Sequence, residues 1–171
     1  MGEITSIFAA SGAVVYAFEP DPLAFEHLAE KFSGVENIHL INAAVAAKSG
    51  KLPLYRTPAF HDNPISNSQR SSLIPEKRNI SVEKPVMVDV VNLIDFCSKL
   101  STPVKIMKMD IEGSEVEILE LLMQNEVLLN QFESIFVETH ERKIPNTKDR
   151  VDRIAKFYLS RKKPYVNLYW K

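Results

Sequence analysis

Glycine is scarce in this chain of 171 residues: Gly2, Gly12, Gly34, Gly50 and Gly113 are the full set, with no two closer than ten positions. Neither a G-x-G-x-x-G turn nor a Walker loop fits that spacing, so a nucleotide-phosphate cradle would have to lie upstream of the sequence. Cysteine is rarer, with Cys97 alone. That excludes a disulfide framework and a cysteine-built zinc site, and it fits a reducing compartment, by default the cytoplasm. Charge of one sign is not in excess: 21 Lys and Arg stand against 22 Asp and Glu, for a formal net charge of −1, spread along the chain. No basic footprint for nucleic acid results. No apolar run approaches the roughly 18 residues of a membrane span, because Ser11 and Gly12 interrupt the best stretch. A basic leader is also missing, since Glu3 stands where a signal peptide carries positive charge. The start Met1-Gly2-Glu3-Ile4-Thr5-Ser6 matches the myristoylation pattern, but so short a pattern arises by coincidence, and the sequon Asn79-Ile80-Ser81 is idle without secretion.

With 45% hydrophobic and 25% charged residues, the sequence is that of one folded domain, residues 1–171. Ile4, Ile7 and Phe8 give a helical face that Gly12 stops. Val14 to Phe18 is an apolar run of the kind buried on both faces of a parallel sheet. Asp21 and Pro22 supply an N-cap and a first-turn proline for a helix carrying Phe25, Leu28, Ala29 and Phe32, with Gly34 as terminator. Asn37 to Ile41 is the next strand, and Ala44 to Ala46 with Leu52 to Tyr55 bracket Lys48-Ser49-Gly50 as a hairpin. Residues 56–85 carry Pro58, Pro64, Pro75 and Pro85, dense Asn and Ser, and no period, which reads as a long loop that either contacts substrate or lacks order. Then follow a strand over 86–90, a helix over 92–100, a strand over 104–109, a helix opened by a Ser114-x-x-Glu117 capping box, a strand over 132–137, a helix over 147–159 and a strand over 165–170. This alternation predicts an α/β fold with a mostly parallel sheet flanked by helices.

Ligands of such sheets bind beyond the carboxyl ends of the strands. The polar residues there are Glu19, Asn42, Asp110 with Glu112, and Glu138 with His140. An acid after the second strand, about 20 residues past a glycine turn, is placed to hold ribose hydroxyls; a carboxylate at that point also suits the N-terminus of the following helix. Asp110 and His140 are candidates for proton transfer, and Glu138 shares the side of His140 if the strand extends that far. A purely structural role for either is the competing reading. Asp110, Glu112, His140 and Glu141 are a possible but weak magnesium set, and no metal is assigned.

The blocks Val15-Tyr16-Ala17-Phe18-Glu19-Pro20-Asp21-Pro22, Asn42-Ala43-Ala44-Val45, Ser71-Ser72-Leu73, Met107-Lys108-Met109-Asp110-Ile111-Glu112-Gly113-Ser114-Glu115 and Val137-Glu138-Thr139-His140-Glu141 together resemble the FkbM-type methyltransferases over nearly the whole chain. The resemblance implies a class I, Rossmann-like methyltransferase fold that uses S-adenosylmethionine to methylate a hydroxyl of a sugar or natural-product-like small molecule. It places Glu19 on the ribose diol, Pro20 in the adenosine pocket, and Asn42 and Ala43 near adenine. It puts Asp110 where methyl group and acceptor meet, with Ser72, Glu112 and Glu138 toward the acceptor. Members of that family open with a strand and a D-x-G-A-N-x-G turn, of which Gly2 would be the last glycine. The N-terminal strand is then missing, as in a fragment or a misassigned start codon, leaving a gap in mid-sheet between the strands ending at Glu19 and Asp110. Two other readings remain: a nicotinamide-nucleotide enzyme of the same architecture, and a non-catalytic remnant that binds no cofactor.

Overall fold

The computed structural model describes residues 1–170. Most element boundaries follow from local chemistry. α1 (Glu3–Ala10) runs toward Gly12, which takes the left-handed conformation at φ +83°. After β1 (Val15–Phe18), Asp21 accepts the Leu23 N–H at 3.1 Å and Pro22 opens α2 (Pro22–Lys31), as the sequence pattern requires. Asn92 closes β5 (Val86–Asn92) and caps α4 (Leu93–Ser98) through the Ile94 and Asp95 N–H groups. That helix ends two residues earlier than its apolar spacing suggests. α5 (Glu115–Gln124) and α7 (Lys148–Leu159) are the longer helices of the second half, with the one-turn α6 (Glu126–Leu129) between them. Among the described residues no helix is long and apolar enough to cross a membrane.

The α/β class and the alternating order are as expected, but the strands fall into three separate ladders. β1 pairs in parallel with β2 (Ile38–Ile41). β6 (Val104–Met109), β7 (Phe132–Val137) and β8 (Tyr165–Asn167) form a parallel sheet in that order. Its last strand is shorter than the run over 165–170, with Tyr169 making only an isolated bridge to Glu138. No ladder joins β1 to β6 among the described residues. β1 is not buried on both faces as its apolar run suggested: none of its four residues is fully buried and Tyr16 is 44% exposed.

The expected hairpin is replaced by a different arrangement. β3 (Ala44–Ala46) and β4 (Gly50–Leu54) lie on opposite sides of β5, parallel and antiparallel to it respectively. Val88 and Val90 of β5 are buried with Ala44 and Leu54, so the later strand takes partners on both edges and covers its apolar face. Residues 56–85 are also more ordered than their composition indicated. A one-turn 3₁₀ helix (Phe60–Asp62), α3 (Pro64–Ser68) capped by Asn63, and a Tyr55–Ser72 bridge organise the segment.

The main core lies between the β6–β7–β8 sheet and α5, α6 and α7. Ile118, Leu119, Leu129, Ile135 and Val137 have no solvent exposure, and Ile154 only 1%. Each fully buried side chain of this kind contributes about 1.5–3 kcal/mol relative to exposure. This packing fixes where β6 and β7 end, and the candidate site is built on those ends.

Candidate active site

β6 stops at Met109, and the chain turns through Asp110 to Ser114 before α5 begins. The turn is tightly wound, with Glu112 at φ +56° and Gly113 at φ +125°. A Cβ on Gly113 would stand 2.2 Å from Ile144 Cδ1 and 2.7 Å from Ile74 Cδ1 and would push those side-chain ends aside, and the positive φ favours glycine in its own right. The Ile111 and Gly113 N–H groups each donate at 2.8 Å to the Glu115 carboxylate, one to each oxygen. This displaces the expected capping box. Ser114 already has helical backbone angles and makes no side-chain cap, Glu117 is exposed, and the fully buried Glu115 instead accepts two N–H groups of the turn before the helix.

The end of β7 comes to the same place, since the Glu138 N–H donates to the Met109 carbonyl at 3.0 Å. His140 is 3% exposed. Its Nδ1 lies 3.2 Å from Glu115 Oε1, and its Nε2 lies 3.0 Å from Glu112 Oε2, 3.8 Å from Asp110 Oδ1 and 4.0 Å from Glu138 Oε1. Four sequence-identified residues, Asp110, Glu112, Glu138 and His140, are therefore one cluster. Residues 56–85 add Lys77, a buried lysine whose Nζ is 2.7 Å from Glu112 Oε2 and donates to the Arg70 carbonyl. Lys143 stands 3.7 Å from the same oxygen, and Lys108 pairs with Asp110 at 3.1 Å.

These neighbours set the protonation states. Burial disfavours a charged imidazole, yet the Glu112 and Glu115 carboxylates outweigh it and lift His140 to about 10. Burial likewise works against an ionised Glu112, but His140 and Lys77 together hold its carboxyl down to about 2. Burial pushes the Lys77 ammonium down from its usual value, partly offset by Glu112. Asp110, Glu112 and His140 bring one ligand atom each within 4.8 Å of one another. The cation at Glu112 is already the Lys77 ammonium, and Glu141 of the sequence-level magnesium set is not in this group.

Ser72 is not turned to an open surface. It is 1% exposed, its hydroxyl donates to the Glu112 carbonyl at 2.7 Å and accepts the Ile74 N–H at 3.1 Å, so it supports the turn that carries Glu112.

Glu19, Pro20, Asn42 and Ala43 gather at the end of the β1–β2 pair, where the Glu19 N–H donates to the Ile41 carbonyl at 3.0 Å. Glu19 Oε1 accepts the Asp21 N–H at 2.9 Å, and Oε2 makes no hydrogen bond among the described residues. Burial raises this carboxyl to about 7, against the Asp21 N–H and with the help of the Asp21 charge. An acid at a strand end with one free oxygen suits a vicinal diol. Asn42 is exposed and Ala43 is buried. Gly2 lies elsewhere: it precedes α1 and packs on Leu28 late in α2 and on Phe32 just past its end, whereas Glu19 and Pro20 precede the first turn of that helix.

Sequence reasoning did not find Glu115, Lys77, Asp21 or Arg56 as site-building residues. Asp21 is fully buried and takes Arg56 as a bidentate partner, at 2.7 Å from Nε to Oδ2 and 3.0 Å from Nη2 to Oδ1. Residues 56–85 therefore touch both halves, through Arg56 at Asp21 and Lys77 at Glu112.

A family model described as "Methyltransferase FkbM domain" matches residues 3–165. The protein named 2-O-methyltransferase NoeI of Sinorhizobium fredii (strain NBRC 101917 / NGR234) is 23% identical over a match of 115 residues that covers 63% of this chain and 46% of that protein. The chain thus matches less than half the length of this curated relative. No solved structure matches it.

Proposed function

The chain belongs to the FkbM methyltransferase family, and from that premise we propose that it transfers a methyl group from S-adenosylmethionine to a hydroxyl of a small molecule, a sugar or natural-product-like compound. The observation that carries this reading is the cluster at the ends of β6 and β7, where the exposed carboxylate of Asp110 lies 3.8 Å from the buried imidazole of His140. The relative named as a 2-O-methyltransferase supports oxygen as the methyl acceptor. We read the three ladders as parts of one class I methyltransferase sheet, with β1 and β6 on either side of its central position.

When bound, S-adenosylmethionine supplies an electrophilic methyl group. Glu19, with Oε2 free, would hold the ribose hydroxyls, and Pro20, Asn42 and Ala43 would border the adenosine. Transfer requires an aligned acceptor oxygen and a group to take its proton. Asp110 does the latter. His140, held as an imidazolium near neutral pH by Glu112 and Glu115, keeps a positive charge 3.8 Å from Asp110 at the same mouth. Glu138 and Glu112 line the acceptor side.

The test is transfer of radiolabelled methyl from S-adenosylmethionine to a panel of sugar and polyol hydroxyls. Asp110→Asn is expected to lower the rate by about 10²–10⁴-fold while binding of S-adenosylhomocysteine persists, the loss typical of a removed general base. An unchanged rate in that variant contradicts the assignment.

A further inference from the structure

Glu115 has no assigned part in the proposed chemistry, yet it is the most completely enclosed acid beside the cluster, with no solvent exposure. Its two oxygens already accept the Ile111 and Gly113 N–H groups, so its position is set by backbone rather than by side-chain rotamer alone. A carboxylate that accepts from two fixed donors meets the imidazole as an acceptor again, which makes His140 Nδ1 the donor across the 3.2 Å contact. With Nδ1 turned inward, Nε2 faces Glu112, Asp110 and Glu138.

We propose that Glu115 is the positioning residue of the site: it fixes the ring orientation and the Nδ1-protonated state of His140, so that Nε2 is presented to the acceptor side. This deepens the methyl-transfer reading and, for its catalytic consequence, rests on it. The wound turn before α5 is what makes the arrangement specific. Glu112 and Gly113 at positive φ aim two N–H groups at one carboxylate, and a Cβ on Gly113 would have to displace the side-chain ends of Ile74 and Ile144. A carboxylate that only capped the helix would not need to meet the imidazole of a different strand end.

The charged groups facing His140 come from every element around it. Glu115 belongs to α5, Asp110 and Glu112 to the turn after β6, and Glu138 to the end of β7. Lys77 of residues 56–85 and Lys143 both bear on Glu112, and Lys108 on Asp110. In the wild-type protein Glu115 and Glu112 are the pair in closest contact with the two ring nitrogens, and they raise the imidazole's affinity for its second proton.

Histidine-labelled protein, with His140 assigned through His140→Asn, allows the ring to be titrated by NMR without substrate. In the wild type the proton that remains on the ring at high pH is expected on Nδ1. Glu115→Gln is expected to lower the His140 transition by at least about one pH unit, the usual effect of losing an opposite charge at this distance. Glu115→Asp should restore part of it. Gly113→Ala, which strains the same turn without removing the charge, serves as the control. A wild-type ring with its last proton on Nε2 overturns the proposal, as does a Glu115→Gln transition that stays in place or one that Gly113→Ala reproduces. The turnover arm is separate: Glu115→Gln should move the alkaline limb of kcat to lower pH with the KM for S-adenosylmethionine unchanged. A shifted titration in a protein that transfers no methyl group would refute the methyl-transfer reading and leave the positioning role established.

Discussion

Glu112 and His140 are a buried pair whose protonation states depend on each other, and this gives stability a defined pH window. His140 is raised from 6.5 to about 10 in the folded protein, so it binds an extra proton relative to the unfolded chain above pH 6.5. Its contribution is complete below 6.5 and is lost as pH rises through about 10. Glu112 is lowered from 4.5 to about 2, so its contribution is present above 4.5 and is lost as pH falls through about 2. Both are complete only between 4.5 and 6.5. Removing one partner of a buried pair costs about 3–5 kcal/mol, because the other charge is left uncompensated. Calorimetric Tm measurements across pH should therefore show wild type exceeding Glu112→Gln by a constant margin from pH 4.5 to at least 6.5, with the margin shrinking in acid as pH falls through about 2 and in alkali as it approaches about 10, because Glu115 still raises His140 in the variant. A margin independent of pH would show that the pair does not titrate as described. Much of this cluster was legible in the sequence, because Asp110, Glu112, Glu138 and His140 all follow apolar runs that read plainly as strands. Glu115 was hidden by a competing pattern. Ser114 and Glu117 have capping-box spacing, and spacing does not reveal that the turn before them is wound enough to bring a buried carboxylate to the free N–H groups.

Among the elements, residues 56–85 depart furthest from their sequence signature. Four prolines and dense Asn and Ser give no period, so no local pattern reveals that Arg56 and Lys77 are anchors. Both acquire meaning only from residues distant in the chain: Asp21 lies 35 positions from Arg56. The Arg56 guanidinium also lies 3.9 Å from the centroid of Phe60, so it combines a bidentate ion pair with stacking. Lysine supplies the charge without the fork or the planar face. Arg56→Lys should lower stability by about 1–3 kcal/mol, the range for a charge-assisted hydrogen bond left incomplete, and it should speed proteolysis within 56–85. Cleavage at the wild-type rate would mean that the anchor does not hold the segment. The misread hairpin has the same kind of origin. Lys48-Ser49-Gly50 has the composition of a turn, but Gly50 opens β4, and β5, more than 30 residues later, supplies the apolar face that β3 and β4 each need and separates them.

For the whole molecule, periodicity was enough to order the strands and helices of the second half, because strong apolar runs there coincide with the main core of β6, β7, α5, α6 and α7. It could not give the three-ladder arrangement, since backbone pairing between distant strands leaves no mark on either one. Tyr16 on β1 is 44% exposed, although its strand read as interior from composition. The proposed methyl transfer unites the two halves of the molecule, since Glu19 at the end of β1 would hold the donor and Asp110 at the end of β6 would serve the acceptor. The most direct measurement is titration calorimetry of S-adenosylhomocysteine into the wild-type chain and into Glu19→Gln at pH 8, where Glu19, with its carboxyl at about 7, is mostly ionised. The account predicts saturable binding by the wild type and an affinity lower by about 10–100-fold in the variant, the loss expected when a charged acceptor of diol hydrogen bonds is removed. Absence of binding, or equal affinity in the two proteins, would contradict it.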